Sequence, residues 1–166
     1  MLLKLSYQWW WKIAGALLAV YAIIAGMLLP VPALDILNET IRNLYYHVTM
    51  WFAMIFLLTV SVVNSIMYLG SNKAYRDIVS TEAAITAVLF ASAGLFTGMI
   101  WAKFTWGAFW VNDPKLNGVA ASMLVYSAYF LLRASIDDEQ KRARFSAVYN
   151  VFAYVMTMLF IMILPR

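Results

Sequence analysis

Five apolar runs dominate this chain, at residues 12–30, 47–69, 79–101, 114–133 and 145–164. Each approaches the roughly 20 residues that an α-helix needs to cross about 30 Å of hydrocarbon. In lipid every backbone N–H and C=O must find a partner within the protein, which leaves helices and closed barrels as spanning structures. Runs of this length are far too long for barrel strands. The expected fold is therefore all-α, a polytopic integral membrane helical bundle of five spans, with residues 1–166 forming a single transmembrane domain. The connectors at 31–46, 70–78, 102–113 and 134–144 are polar and short. Composition agrees: 64% of residues are hydrophobic and 12% charged, against about 45–50% and about 25% in soluble domains. The start of the chain does not read as a cleavable signal, because Trp9-Trp10-Trp11 interrupts its basic stretch and no small-residue cleavage pattern follows.

Basic residues in the connectors set an expected orientation. With a cytoplasmic N-terminus, the inner side holds Lys4, Lys12, Lys73, Arg76, Arg133, Lys141, Arg142 and Arg144, and the outer side holds Arg42, Lys103, Lys115 and Arg166. Eight against four favours that arrangement and puts the C-terminus of this chain outside. The net charge of +4 thus reports topology, and no nucleic-acid partner is expected.

Boundary signals support the spans. Asp113-Pro114 pairs an N-cap residue with a proline at the first helical position. Gly94-x-x-x-Gly98 and Gly118-x-x-x-Ser122 are small-residue ridges that allow helices to approach closely. Asn64 reads as a helix–helix hydrogen-bonding residue, and Asp137–Arg142 as a solvated loop and helix start.

The chain has no cysteine and one histidine, His47. This excludes disulfides, thiolate-held metals, covalently attached c-type haem and a bis-histidine haem site built from this chain alone. His47 begins the second run on the face that also carries the segment 101–113, WAKFTWGAFWVND. Trp9-Trp10-Trp11 beside Lys12 reads as an interfacial belt. The later segment reads either as a second belt or as a functional platform, since its aromatics are spaced three to five residues apart and interleaved with Gly107 and Lys103. An imidazole and a set of flat rings on one membrane face suit haem: iron takes a neutral imidazole as an axial ligand, and porphyrin faces stack on aromatic rings. Arg42, Lys103 and Lys115 lie near enough in the sequence to pair with its propionates.

These residues resemble the haem-handling proteins of cytochrome c maturation, within them the heme exporter protein C type, and the cytochrome c assembly proteins related to it. That family carries a WGxxWxWD segment between its third and fourth spans. Residues 106–113 match it at Trp106, Gly107, Trp110 and Asp113, with Trp101 and Lys103 leading into the motif. Residues 42–48 resemble the family's R-x-x-Y-x-H-V segment, whose histidine is an axial haem ligand; here that position is His47, with Arg42 at its start. Asn112 stands where the family has a further tryptophan, so one ring of the platform is missing. The family also has a second axial histidine just after the fifth span and then a sixth span, which places both beyond Arg166 in a longer full-length protein.

The resemblance implies a non-enzymatic protein of the inner (plasma) membrane that binds haem b non-covalently and transiently at the extracytoplasmic face. It implies presentation of that haem to a periplasmic haem chaperone, alongside an ABC-type ATPase with its permease and a small membrane subunit. The expected site is His47 as metal ligand, with Arg42, Trp101, Lys103, Trp106, Gly107, Trp110 and Asp113 around the cofactor. The competing reading is a non-haem membrane scaffold or anchor subunit whose Trp-rich loop docks a protein; a haem-based electron-transfer subunit ranks below both because of the single histidine.

The orientation is testable by labelling. Cysteines introduced singly at Asn38 and Thr105 should react with an impermeant thiol reagent applied from outside, and one at Gln140 should not; the reverse pattern inverts the topology.

Overall fold

The computed structural model describes the backbone of residues 2–165 and the side chains of residues 9–165. Five α-helices follow one another: α1 (Leu2–Leu28), α2 (Asn43–Ser71), α3 (Ala74–Trp106), α4 (Pro114–Ala134) and α5 (Glu139–Met158). A short 3-10 turn, Asn38–Arg42, leads into α2, and a π-helical turn, Leu159–Ile163, continues α5. All five are long and apolar enough to cross a membrane. Among the described residues there is no strand.

The helices run past the apolar runs. α3 has 33 residues, about 50 Å at about 1.5 Å each, so both of its ends overshoot a core of about 30 Å. This corrects the expected 102–113 connector. Trp101, Lys103 and Trp106 are helical, and only residues 107–113 link α3 to α4. The helix stops where Gly107 takes a left-handed φ of 84° and its N–H closes a last bond to the Lys103 carbonyl at 3.1 Å, a backbone shape that glycine adopts without cost. Asp113 caps α4 as expected: its carboxylate accepts from the backbone N–H groups of Lys115 and Leu116, both at 2.9 Å. α5 starts at Glu139, earlier than the apolar run, because Asp138 caps it through the Lys141 N–H at 2.8 Å.

α2 packs most extensively against α3, then against α5, and α4 packs on α5. The contact surface of α3 is a row of small residues, Ser80, Ala84, Ala87, Ala91, Gly94 and Gly98, recurring every three or four positions. Its first four members are almost completely buried. α5 matches it with Ala143, Ser146, Ala147, Asn150, Ala153 and Thr157, all buried. Apolar side chains gain little by moving from lipid to a helix interface, so association depends on close contact and hydrogen bonds, which small residues permit. Large apolar side chains accordingly face outward, among them Phe52, Phe56, Leu89, Phe96, Leu124 and Leu131.

A polar knot sits at the centre. Asn150 of α5 donates to Ser61 Oγ at 2.7 Å and Ser65 Oγ at 2.9 Å on α2, and its carbonyl accepts from Tyr126 OH of α4 at 3.2 Å. Ser61 donates to the Ser80 carbonyl of α3 at 2.7 Å. Four helices are thereby joined through groups that lipid could not satisfy. Nearer the end of the bundle opposite His47, Arg133 of α4 holds Asp77 of α3 in a two-pronged ion pair of 2.7 and 2.5 Å, and Arg76 donates to Asn64 at 2.9 Å. Asn64 thus bonds between helices, as expected.

α1 stands apart. It is exposed along almost its whole described length, and its hydrogen bonds to the rest of the chain gather at its C-terminal end. Arg42 donates to the carbonyls of Gly26 and Leu29, and Tyr46 OH donates to the Ile23 carbonyl at 2.9 Å. At the other end Trp9, Trp10 and Trp11 are exposed, and the Lys12 ammonium lies 4.4 Å from the Trp9 ring centre.

Asn150→Ala should lower stability by about 1–3 kcal/mol, since it removes two donated bonds and one accepted bond from a lipid-excluded core. Ser127→Ala, which loses a bond only to its own helix, should change it by less than about 0.5 kcal/mol. Unfolding by detergent titration measures both.

Candidate functional site

At the His47 end, α2, α3 and α4 enclose a cavity of about 580 Å³, within the about 300–1,000 Å³ typical of small-molecule sites. α2 contributes His47, Val48 and Trp51; α3 contributes Gly94, Gly98, Trp101 and Trp106; α4 and its cap contribute Asp113, Lys115 and Val119; Ile161 of the π-helical turn closes the inner side. α3 and α4 touch each other much less than α2 and α3 do, which leaves room for the opening between them.

His47 is held on all sides. Its Nδ1 lies 3.0 Å from the Gly94 carbonyl oxygen and 3.2 Å from Thr97 Oγ1, and its Nε2 accepts from the Trp51 indole N–H at 2.9 Å. An indole N–H only donates and a carbonyl only accepts. Nε2 therefore carries the lone pair and Nδ1 the proton, so the ring is the neutral Nδ1–H tautomer. A ring nitrogen that donates to a backbone carbonyl, with the other left basic, is the arrangement that supports metal ligation by histidine. Two indoles flank the ring edge-on, Trp51 at 5.6 Å and Trp101 at 5.8 Å between centres.

The glycines make this seat. A Cβ on Gly98 would lie 2.8 Å from His47 Cε1, and one on Gly94 would lie 3.3 Å from the Trp51 ring. Hydrogen at Gly98 lets the imidazole lie flush on α3, and at Gly94 a methyl would press tightly on the indole. On α4, a Cβ on Gly118 would collide with the Phe160 carbonyl oxygen, so the π-helical turn also approaches through a glycine.

The structure gathers only part of the expected set. His47, Trp101, Trp106 and Asp113 line the cavity, together with Lys115. Trp101 is the most telling: the residue lines the apolar space, while its Nε1–H is buried and has no hydrogen-bond partner among the described residues. Trp106 and Trp110 are exposed, as is Phe109. Gly107, Trp110, Lys103 and Arg42 do not line the cavity. Lys103 donates to the Gly107 carbonyl at 2.8 Å and lies 5.7 Å from the Phe109 ring centre, so it braces the turn. Arg42 is committed to the carbonyls at the end of α1 and to Glu39 at 2.7 Å; a cation is favoured there by the helix dipole. Sequence reasoning missed Gly94 as a hydrogen-bond acceptor and Trp51 as a partner of His47. The four-residue spacing of His47 and Trp51, one helical turn, was the available signal for the second.

Taken chemically, the site offers one neutral imidazole, an apolar slot walled by indoles and one ammonium group. In a bundle of helices long and apolar enough to cross a membrane, such a combination is chemically suited to a flat, largely apolar ligand with a Lewis-acidic centre. The family model for heme exporter protein C matches residues 1–162, and the chain belongs to that family. Heme exporter protein C of Bradyrhizobium diazoefficiens is 28% identical over 67% of this chain and 42% of its own length. Cytochrome c biogenesis protein CcsA of Prochlorococcus marinus is 32% identical over 49% of this chain and 26% of its own. The CcsA protein of a Synechococcus strain is 32% identical over 46% and 24%. The chain thus spans less than half the length of these curated relatives.

Gly98→Ala forces the His47 ring to move. Overpacking of about 1–3 kcal/mol, less about 0.5–1 kcal/mol from better helix propensity, leaves a net loss of up to about 2.5 kcal/mol. Gly70→Ala, with nothing within 4 Å of the new atom, should be neutral or slightly stabilising. Melting in detergent, followed by circular dichroism, compares them.

Proposed function

We propose that this chain binds haem b non-covalently and transiently at the extracytoplasmic face of the inner membrane and presents it to a periplasmic haem chaperone during cytochrome c biogenesis. The supporting observation is the His47 tautomer: Nδ1–H is anchored on Gly94, and a basic Nε2 stands in the wall of a ligand-sized cavity. The cavity lining holds one histidine and neither cysteine nor methionine, so it cannot surround a soft metal with nitrogen or sulfur by itself. A metal bound here must bring most of its ligands with it, as iron does inside a porphyrin.

The residues fit such a cargo. His47 supplies one axial nitrogen, which lends the iron a fixed position. Trp101 and Trp51 wall the slot, and the Lys115 ammonium is a donor for carboxylates. Trp106 and Trp110, exposed beyond the cavity, offer ring surface on which a porphyrin edge can stack. No covalent link is formed, so release needs only the loss of stacking and ligation. Partners consistent with the family are an ABC-type ATPase, its permease, a small membrane subunit and the chaperone. The protein itself makes and breaks no bond in a substrate. Family membership makes this reading stronger than a protein-docking scaffold.

The test is optical. Purified protein loaded with haem should show a Soret band that His47→Ala abolishes or shifts, at unchanged membrane insertion. Trp106→Ala/Trp110→Ala should weaken haem retention by about 2–3 kcal/mol, roughly 30- to 150-fold, whereas Trp9→Ala/Trp10→Ala should not. Colourless wild-type protein that ignores added haem, or equal behaviour of the two tryptophan pairs, would remove the haem assignment and leave the scaffold reading.

A further inference from the structure

The nitrogen that haem iron needs already has a partner within the chain. Trp51 donates its indole N–H to His47 Nε2 at 2.9 Å, and Nε2 has a single lone pair. Hydrogen bond and coordination bond therefore exclude each other. We propose that Trp51 is an internal placeholder for the haem iron: its N–H occupies Nε2 in the haem-free protein, gives way on binding, and retakes the nitrogen as haem leaves. This inference rests on the reading of His47 as an axial ligand.

Three features make the exchange simple. The partners are four residues apart on one rigid helix, so Trp51 is always within reach and competes as an intramolecular ligand at high effective concentration. Both states use the same tautomer, because Nδ1–H stays on the Gly94 carbonyl. No proton or electron moves, and one hydrogen bond is exchanged for one coordination bond. Trp51 is also seated against Gly94, where a Cβ would lie 3.3 Å from its ring, so the indole has a defined resting place beside the imidazole.

The placeholder does two things that an open site could not. It keeps Nε2 satisfied within an apolar wall, where an unpaired acceptor is costly. It also multiplies the intrinsic affinity for haem by the fraction of molecules in which Nε2 is free, and so weakens it. For one neutral hydrogen bond that factor is about 3- to 10-fold, enough to hasten release without preventing capture. Trp51 acts through His47, so it is a positioning residue and not an additional ligand.

Trp51→Phe keeps a ring and removes the N–H. In the full chain in detergent, it should tighten haemin binding and slow haemin dissociation about 3- to 10-fold. Metal-free protoporphyrin IX, which makes no axial bond, should show none of this tightening in the variant. Without any porphyrin, carbethoxylation of His47 by diethyl pyrocarbonate should be faster in the variant, and His47 is the chain's sole histidine, so the signal is unambiguous. In wild-type protein, the Trp51 indole N–H resonance should shift when haemin binds and stay in place with protoporphyrin. This last measurement stands even if the variant folds poorly. Weaker or unchanged haemin binding in a folded variant, or an indole resonance indifferent to haemin, overturns the placeholder while leaving haem binding intact. Failure of wild type to bind haemin at all overturns the haem reading beneath it.

Discussion

α2 and α3 lie close together because α3 presents a face with almost no side chains on it. From Ser80 through Ala84, Ala87 and Ala91 to Gly94 and Gly98, every turn toward α2 carries a hydroxyl, a methyl or a hydrogen. In lipid this matters more than in water, since solvent does not push the two helices together. What remains is dispersion between close surfaces and the hydrogen bonds that closeness allows. The stripe narrows from methyls to bare glycines toward the His47 end, and there the imidazole and an indole of α2 occupy the space that the missing methyls leave. The wall of the cavity is thus a continuation of an ordinary helix contact.

That arrangement explains why the site is both firm and open. Its firm wall is the α2–α3 contact, continued inward by the Asn150 knot and by the Asp77–Arg133 pair at the far end. Its open side is α4, which meets α3 only sparingly and is steered by the seven-residue link from Gly107 to Asp113. The left-handed turn at Gly107, the cap at Asp113 and the Lys103 brace fix that link at both ends with backbone hydrogen bonds. The cavity therefore lies between a tightly packed pair and a separately tethered third helix, away from the polar core.

Much of this was legible in the chain. Apolar length alone gives five spans, Asp113-Pro114 marks the start of α4, and the glycine spacings point to close approach. The helix ends were less legible, because hydropathy marks where lipid stops and not where hydrogen bonding does; α3 therefore continues through Trp106 into the polar connector. Charge was the least reliable guide to the site. Arg42 and Lys103 look like anion partners when read by proximity in sequence, yet both are spent on backbone carbonyls at the ends of α1 and α3. Asn150 drew no notice, since one amide in a long helix has no meaning until Ser61, Ser65 and Tyr126 are known to surround it. The pairing of His47 with Trp51 was within reach from helical spacing, but its direction, indole onto Nε2, depends on the Gly94 carbonyl claiming the other nitrogen.

The way α1 is tied to the bundle has an evolutionary consequence. Its bonds to Arg42 and Tyr46 are all accepted by its own main-chain oxygens, at Ile23, Gly26 and Leu29, and every residue type supplies such an oxygen. Among its described side chains, identity matters most at Gly26, where the Tyr46 hydroxyl would lie 2.5 Å from any Cβ. Elsewhere the helix answers to the bilayer and not to its neighbours within the chain. Its sequence is free to drift among apolar residues at a rate set by lipid compatibility, while the α2–α3 face, where each methyl is counted, is not. Within one short protein, two membrane helices of similar hydropathy therefore carry very different amounts of structural information per residue.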